Sequence, residues 1–236
     1  MNKIKEELSL EVKLKTLAQI IYNESSSLGF GSTDYLRLMN ELMDMTIKNK
    51  QNGNLNKRAS KDIKVSELPL KTKNLIIRKF DKKKDLPKLT SWLNDENNKM
   101  FLHSTTSKNN LSADNVKTNG ENIFATITLK DKTPIGLMAL LNIDKNSNKA
   151  EMRKMIGDPF YKGRGYGKEA SKAWLLYSTE ILNINKIYIT TIETNIRNIS
   201  INRQLGFRIE GLLRGEHRIN DVSYDVLRMA YFKNKN

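Results

Sequence analysis

Gly157-Asp158-Pro159-Phe160-Tyr161-Lys162-Gly163-Arg164-Gly165-Tyr166-Gly167-Lys168-Glu169-Ala170 is the stretch on which the reading of this chain turns. An apolar strand over Met152–Ile156 is predicted to run into a turn, then a glycine-dense loop, then a helix opening at about Lys168. Glycines at 163, 165 and 167 permit backbone angles that a Cβ forbids and leave their amides uncovered. At a helix N-terminus those N–H groups converge where the helix dipole favours negative charge. Lys162, Arg164 and Lys168 add positive charge around them. The ligand expected of such a loop is a pyrophosphate.

Two familiar nucleotide loops do not fit. The dinucleotide fingerprint requires G-x-G-x-x-G after the first strand of a βαβ unit, whereas the spacing here is G-x-G-x-G, deep in the chain. The P-loop ends in Gly-Lys-Ser/Thr and uses its hydroxyl for magnesium, whereas Gly167-Lys168 is followed by Glu169.

Further along, Asn195-Ile196-Arg197-Asn198-Ile199-Ser200-Ile201-Asn202-Arg203-Gln204-Leu205-Gly206-Phe207 follows a predicted strand over Lys186–Thr191 and reads as a short helix stopped by Gly206. Then come Glu210-Gly211-Leu212-Leu213-Arg214, a turn at Asn220-Asp221 and a last strand over Ser223–Phe232. Together these pieces resemble the GNAT N-acetyltransferase superfamily, in its ribosomal-protein-alanine acetyltransferase-like branch, over about residues 72–233. The resemblance implies an α/β (α+β) fold: a single mixed, mostly antiparallel sheet with a splayed strand pair and helices on both faces. It also implies acetyl-CoA as co-substrate. The basic-x-x-G-x-G element, Lys162, Gly165 and Gly167 with Gly163, Arg164, Tyr166 and Lys168 around them, would hold the pyrophosphate. Asn195, Asn198, Asn202 and Leu205-Gly206-Phe207 would line the pantetheine side. Glu210–Arg214 and Tyr224-Asp225 match further elements of the same branch.

The chemistry implied by the resemblance is direct attack of an amine on the thioester, with no acyl-enzyme. The strand ending at Met155-Ile156-Gly157 is expected to splay from its neighbour near Thr191, so that its backbone groups bind pantetheine as an added strand and an amide polarises the carbonyl. Glu151 is the first candidate to accept the amine proton, and Glu193 the second. The group that protonates the thiolate is where the chain departs from the pattern. Many GNAT enzymes carry a tyrosine where Asn202 stands, and the ribosomal branch often has a serine where Asn198 stands. Neither hydroxyl is present, although Asn198 and Ser200 can hydrogen-bond the sulfur. His103 and His217 are read as structural, and no His/Asp/Glu spacing suggests a metal.

Composition bounds the rest. With no cysteine there are no disulfides, thiolate zinc sites or cysteine nucleophiles. There is no apolar run long enough for a bilayer and no signal-peptide pattern, so a cytoplasmic protein is expected. Of the net charge of +15, residues 1–70 carry +2 and residues 71–236 carry +13. Coenzyme A is anionic and accounts for part of that excess; nucleic-acid binding is not expected, since no RNA-reading motif appears. The positive field favours an acidic acceptor, such as a nucleotide-linked amino sugar, over a cationic polyamine. The branch resemblance suggests a protein N-terminus instead. A CoA-binding sensor or scaffold without turnover is the alternative that the missing hydroxyls favour.

Residues 1–66 are expected to form a helical extension and linker, with the acetyltransferase domain over 72–236. Leu10, Leu14, Leu17 and Ile21 recur at helical spacing, Gly29-Phe30-Gly31 breaks the pattern, and Ser32 or Thr33 can cap a second helix carrying Tyr35, Leu38, Met39, Leu42 and Met43. Two helices enclose no core, so this hairpin is expected to pack on the catalytic domain or to mediate a homodimer.

Overall fold

The computed structural model describes residues 2–48, 67–95, 98, 116, 118–192, 195–219 and 222–233. Two compact units are distinguished, Met1–Gln51 and Asn52–Asn236. The first holds α1 (Asn2–Ser27) and α2 (Ser32–Lys48). Gly29, at φ 81°, ends the first helix, and the Gly31 amide donates to the Asp34 carboxylate at 2.9 Å as the second begins. Tyr22 and Tyr35 stack across the hairpin at 5.8 Å, and Ser25 Oγ donates to the Tyr35 hydroxyl at 2.9 Å. Leu10, Leu14 and Leu17 are exposed. No described helix is long and apolar enough to cross a membrane.

The second unit contains β1 (Leu70–Lys71), β2 (Leu75–Lys79), α3 (Lys82–Leu93), β3 (Ile123–Leu129), β4 (Pro134–Asp144), β5 (Lys149–Ile156), α4 (Tyr166–Leu176), β6 (Lys186–Ile192), α5 (Ile196–Gln204), β7 (Arg208–Ile219) and β8 (Val222–Phe232). The eight strands form one sheet in the order β1-β2-β3-β4-β5-β6-β8-β7, antiparallel throughout except for β5 and β6. Ile135 to Leu141 of β4 are buried without alternation, as expected of a central strand with helices over both faces. On one face Leu89 and Trp92 of α3 pack with Phe124, Leu137, Ala139, Leu141 and Met155. Asp85 ties α3 down. Burial alone would raise its pKa, but a two-pronged pair with Arg78, both contacts at 2.7 Å, and a bond from Thr126 at 2.6 Å hold it below the usual range. On the other face α4 buries Ala170, Ala173 and Trp174, and its Glu169 accepts from Thr72 and Asn74 of the β1–β2 turn.

The structure differs from the predicted elements in three places. Helix α4 opens at Tyr166, two residues early, because Gly165 at φ 86° caps it in the left-handed region. It continues beyond Leu176 as a π-turn over Tyr177–Ile181, where the Leu182 amide reaches back five residues to the Tyr177 carbonyl. The two-residue β1 was too short to carry a periodic signal. The linker over 49–66, the polar stretch 104–115 with His103, and the Asn220-Asp221 turn lie outside the described residues.

Candidate active site

β5 and β6 pair over three positions only: Lys149 with Lys186, Ala150 with Ile187, and Glu151 with Tyr188. Beyond that point β5 stays on β4 as far as Ile156, and β6 stays on β8 as far as Ile192. Each strand is held by its outer neighbour, so the pair must part. The parting begins just after Tyr188, earlier than the expected point near Thr191. A cleft of about 700 Å³ opens there, walled by residues 152–156, 189–192, Gly163, Gly165, Gly167, Asn195, Asn198 and Asn202. The Gly157 amide donates to the Ile135 carbonyl at 2.9 Å. By strand alternation the backbone groups of Lys154 and Ile156 therefore turn away from β4, towards the fork. Backbone groups in that position call for a hydrogen-bonding partner.

The cradle closes the outer end. Gly163 and Gly165 take φ 87° and 86°, and no side chain caps α4. A Cβ on Gly165 would meet nothing within 4 Å, so the backbone angle, not crowding, requires glycine there. Lys162 Nζ lies 3.2 Å from Asp95 and 3.1 Å from Asn98 Oδ1, and Lys168 Nζ donates to Gln204 at 2.6 Å. These partners hold two cations at the rim. Arg197, at the start of α5, also lines the cleft. Arg164 and Tyr166 do not: Arg164 turns back to the Phe160 carbonyl at 2.9 Å and covers its ring at 4.2 Å. Gly157 has a packing role, since a Cβ there would stand 2.2 Å from the Trp92 indole.

Helix α5 forms the inner wall. Asn195 caps it, accepting from the Asn198 amide at 3.2 Å, and Asn198 Nδ2 donates to Thr191 Oγ1 at 3.1 Å, tying the helix to β6. Asn202, one turn on and 1% exposed, accepts from Lys154 Nζ at 3.0 Å. Burial pulls the Lys154 pKa down to about 8. Glu151 sits at the point of the fork, fully buried, with its carboxylate 2.6 Å from the Arg153 guanidinium. It does not line the cleft, whereas Arg153 does. Glu193 lies outside the described residues. The sequence reading missed Lys154 and Arg197. For Lys154 the available signal was the pair of adjacent cations, Arg153-Lys154, between Met152 and Met155.

A family model described as an acetyltransferase (GNAT) domain matches residues 74–208. The chain belongs to the GNAT acetyltransferase family. Among its relatives, the spermidine N(1)-acetyltransferase of Escherichia coli K12 is 33% identical over 105 residues, which is 44% of this chain and 56% of that protein. A probable spermine N(1)-acetyltransferase of Bacillus subtilis subsp. natto is 28% identical over 78 residues, 33% of this chain and 51% of the relative. The chain thus spans about half the length of the curated relatives it matches. The structure of Vibrio cholerae spermidine N-acetyltransferase in complex with CoA and spermine aligns with TM-score 0.59 and 26% identity, over 67% of this chain and 95% of the other. These relatives are polyamine acetyltransferases and do not single out the ribosomal-protein branch.

Proposed function

We propose that this chain is an acetyl-CoA-dependent N-acetyltransferase that works by direct attack of a primary amine, with a polyamine as acceptor. The observation that carries the reading is that one cleft joins an anion cradle to a strand edge with backbone groups turned into it. In this account the N–H groups of Gly163–Lys168, with Lys162, Lys168 and Arg197, take the pyrophosphate. The backbone of Lys154 and Ile156 pairs with pantetheine, and an amide of this edge polarises the thioester carbonyl as negative charge develops on it. Asn195 and Asn198 act by fixing α5 against β6, which sets the width of the cleft.

The polyamine assignment rests on the named relatives. The positive charge that first favoured an acidic acceptor has another use, because Arg153, Lys154, Lys162, Lys168 and Arg197 all line the cleft assigned to CoA and its phosphates. The test is thiol release from acetyl-CoA with spermidine, spermine, peptide N-termini and nucleotide-linked amino sugars as acceptors. Turnover with the polyamines is expected. Release with peptides or amino sugars alone would overturn the acceptor, and CoA binding without turnover on any amine would leave a CoA-binding scaffold.

A further inference from the structure

The inner end of the cleft holds a lysine that neither the cradle nor the sheet requires. Lys154 leaves β5 on the face opposite Glu151, three residues along the strand, and reaches Asn202 Oδ1 at 3.0 Å. The Asn202 amide nitrogen is buried with no acceptor among the described residues. No carboxylate lines the cleft among the described residues. The titratable groups that do line it are Arg153 on β5, Tyr161 and Lys162 from the loop, Lys168 on α4, Arg197 on α5 and Tyr224 on β8. The cations among them oppose a charged Lys154. Withdrawing an ammonium from water onto a neutral amide costs stability, and no ion pair among the described residues offsets that cost. A half-buried lysine at the inner end of a cleft, with its charge disfavoured by its surroundings, is therefore a candidate for chemistry.

Its position fits one step. Lys154 stands about 10 Å of strand inward from Gly157 and the cradle. A CoA molecule anchored at Gly163–Lys168 and laid along the edge of β5 brings its sulfur towards this end. Building on the acetyl-transfer reading above, we propose that Lys154, oriented by Asn202, donates the proton that turns the departing CoA thiolate into a thiol. The amine nitrogen forms its bond to the thioester carbonyl carbon, and the C–S bond breaks with its electron pair on sulfur. The Lys154 ammonium gives that sulfur a proton and becomes a neutral amine. The proton lost from the attacking nitrogen leaves to solvent, and solvent reprotonates Lys154, so the products are the acetylated amine and CoA thiol. A pKa near 8 suits this cycle, because the donor is mostly charged at neutral pH yet gives up its proton readily.

The test uses the full chain and two independent readouts. In the first, lysine side chains labelled at Cε are titrated by NMR in the free protein, with CoA and with desulfo-CoA, and Lys154→Arg assigns the signal. A midpoint near 8 in the free protein, moved upward by CoA but not by desulfo-CoA, is expected. Identical midpoints with the two ligands would overturn the proposal, whether or not the protein turns over. In the second, Lys154→Met is expected to lower kcat about 100-fold, within the range for removal of a general acid, with CoA affinity by calorimetry changed only a few-fold. Lys154→Arg should carry the alkaline limb of the pH–rate profile from about 8 to beyond 10, since arginine stays charged there. Full kcat with an unmoved limb in both variants would overturn it as well. If no amine supports turnover in the wild-type protein, the acetyl-transfer reading fails, and the NMR titration still decides whether Lys154 faces the sulfur.

Discussion

The two ends of the cleft are built by different physics. The outer end is backbone: two glycines at positive φ, an uncapped helix start and cations held at the rim by Asp95, Asn98 and Gln204. The inner end is tertiary: a strand pair forced apart by its outer neighbours, closed by Glu151 and Arg153 on one face and by Lys154 and Asn202 on the other. In the proposed enzyme the first end supplies affinity and the second supplies chemistry, so substitutions at the two ends should fail in different ways.

The largest expected effect is at the point of the fork. Glu151→Gln removes the carboxylate that pairs with buried Arg153, and breaking a buried ion pair typically costs about 3–5 kcal/mol. A markedly lower Tm is expected, with the acidic limb of the pH–rate profile unchanged. Loss of that limb in a variant of unchanged Tm would instead make Glu151 the proton acceptor. Gly165→Asp attacks the outer end by placing a side chain at φ 86° and a carboxylate beside the anion site. CoA affinity should fall ~100-fold or more, equivalent to about 2.7 kcal/mol, with the circular dichroism spectrum of the fold retained. Unchanged affinity by calorimetry would remove the loop from the site.

Gly157→Ala separates packing from binding. Its Cβ would meet Trp92 at 2.2 Å, so a loss of about 1–3 kcal/mol is expected. A chemical denaturation midpoint reads this, and CoA binding to the folded fraction should stay nearly normal. A normal midpoint with lost CoA binding would return Gly157 to the cofactor site. Smaller still is the pH dependence of Lys154→Met. The folded pKa of Lys154 is lowered, so between about 8 and 10.5 the unfolded chain holds more protons, and wild-type stability rises with pH across that window. The methionine variant should melt a few degrees above wild type at pH 7, with the gap closing towards pH 10. A gap independent of pH would contradict the buried ammonium.

How far the sequence carried this account follows the same division. The cradle was legible because it is local: glycine spacing and neighbouring charges lie within a dozen residues. The mixed sheet and the paired helix faces were legible from strand periodicity and from several separated motifs. The role of Gly157 was not, because it depends on Trp92, 65 residues away. Nor was Lys154, since only the fold brings β5 against a residue 48 positions later on α5. The acceptor expected from net charge rested on a sum over the surface, which does not say which ligand each cation faces, and the named relatives point to a polyamine instead.

Residue-resolved amide exchange with and without CoA tests the central claim directly, that one ligand spans both ends of the cleft. The amides of Arg153 and Met155 point to β4 and should exchange slowly in both states, while those of Lys154 and Ile156 face the fork. CoA should slow exchange at Lys154 and Ile156 together with Gly163–Lys168. Protection confined to the loop, with Lys154 and Ile156 unchanged, would contradict the account.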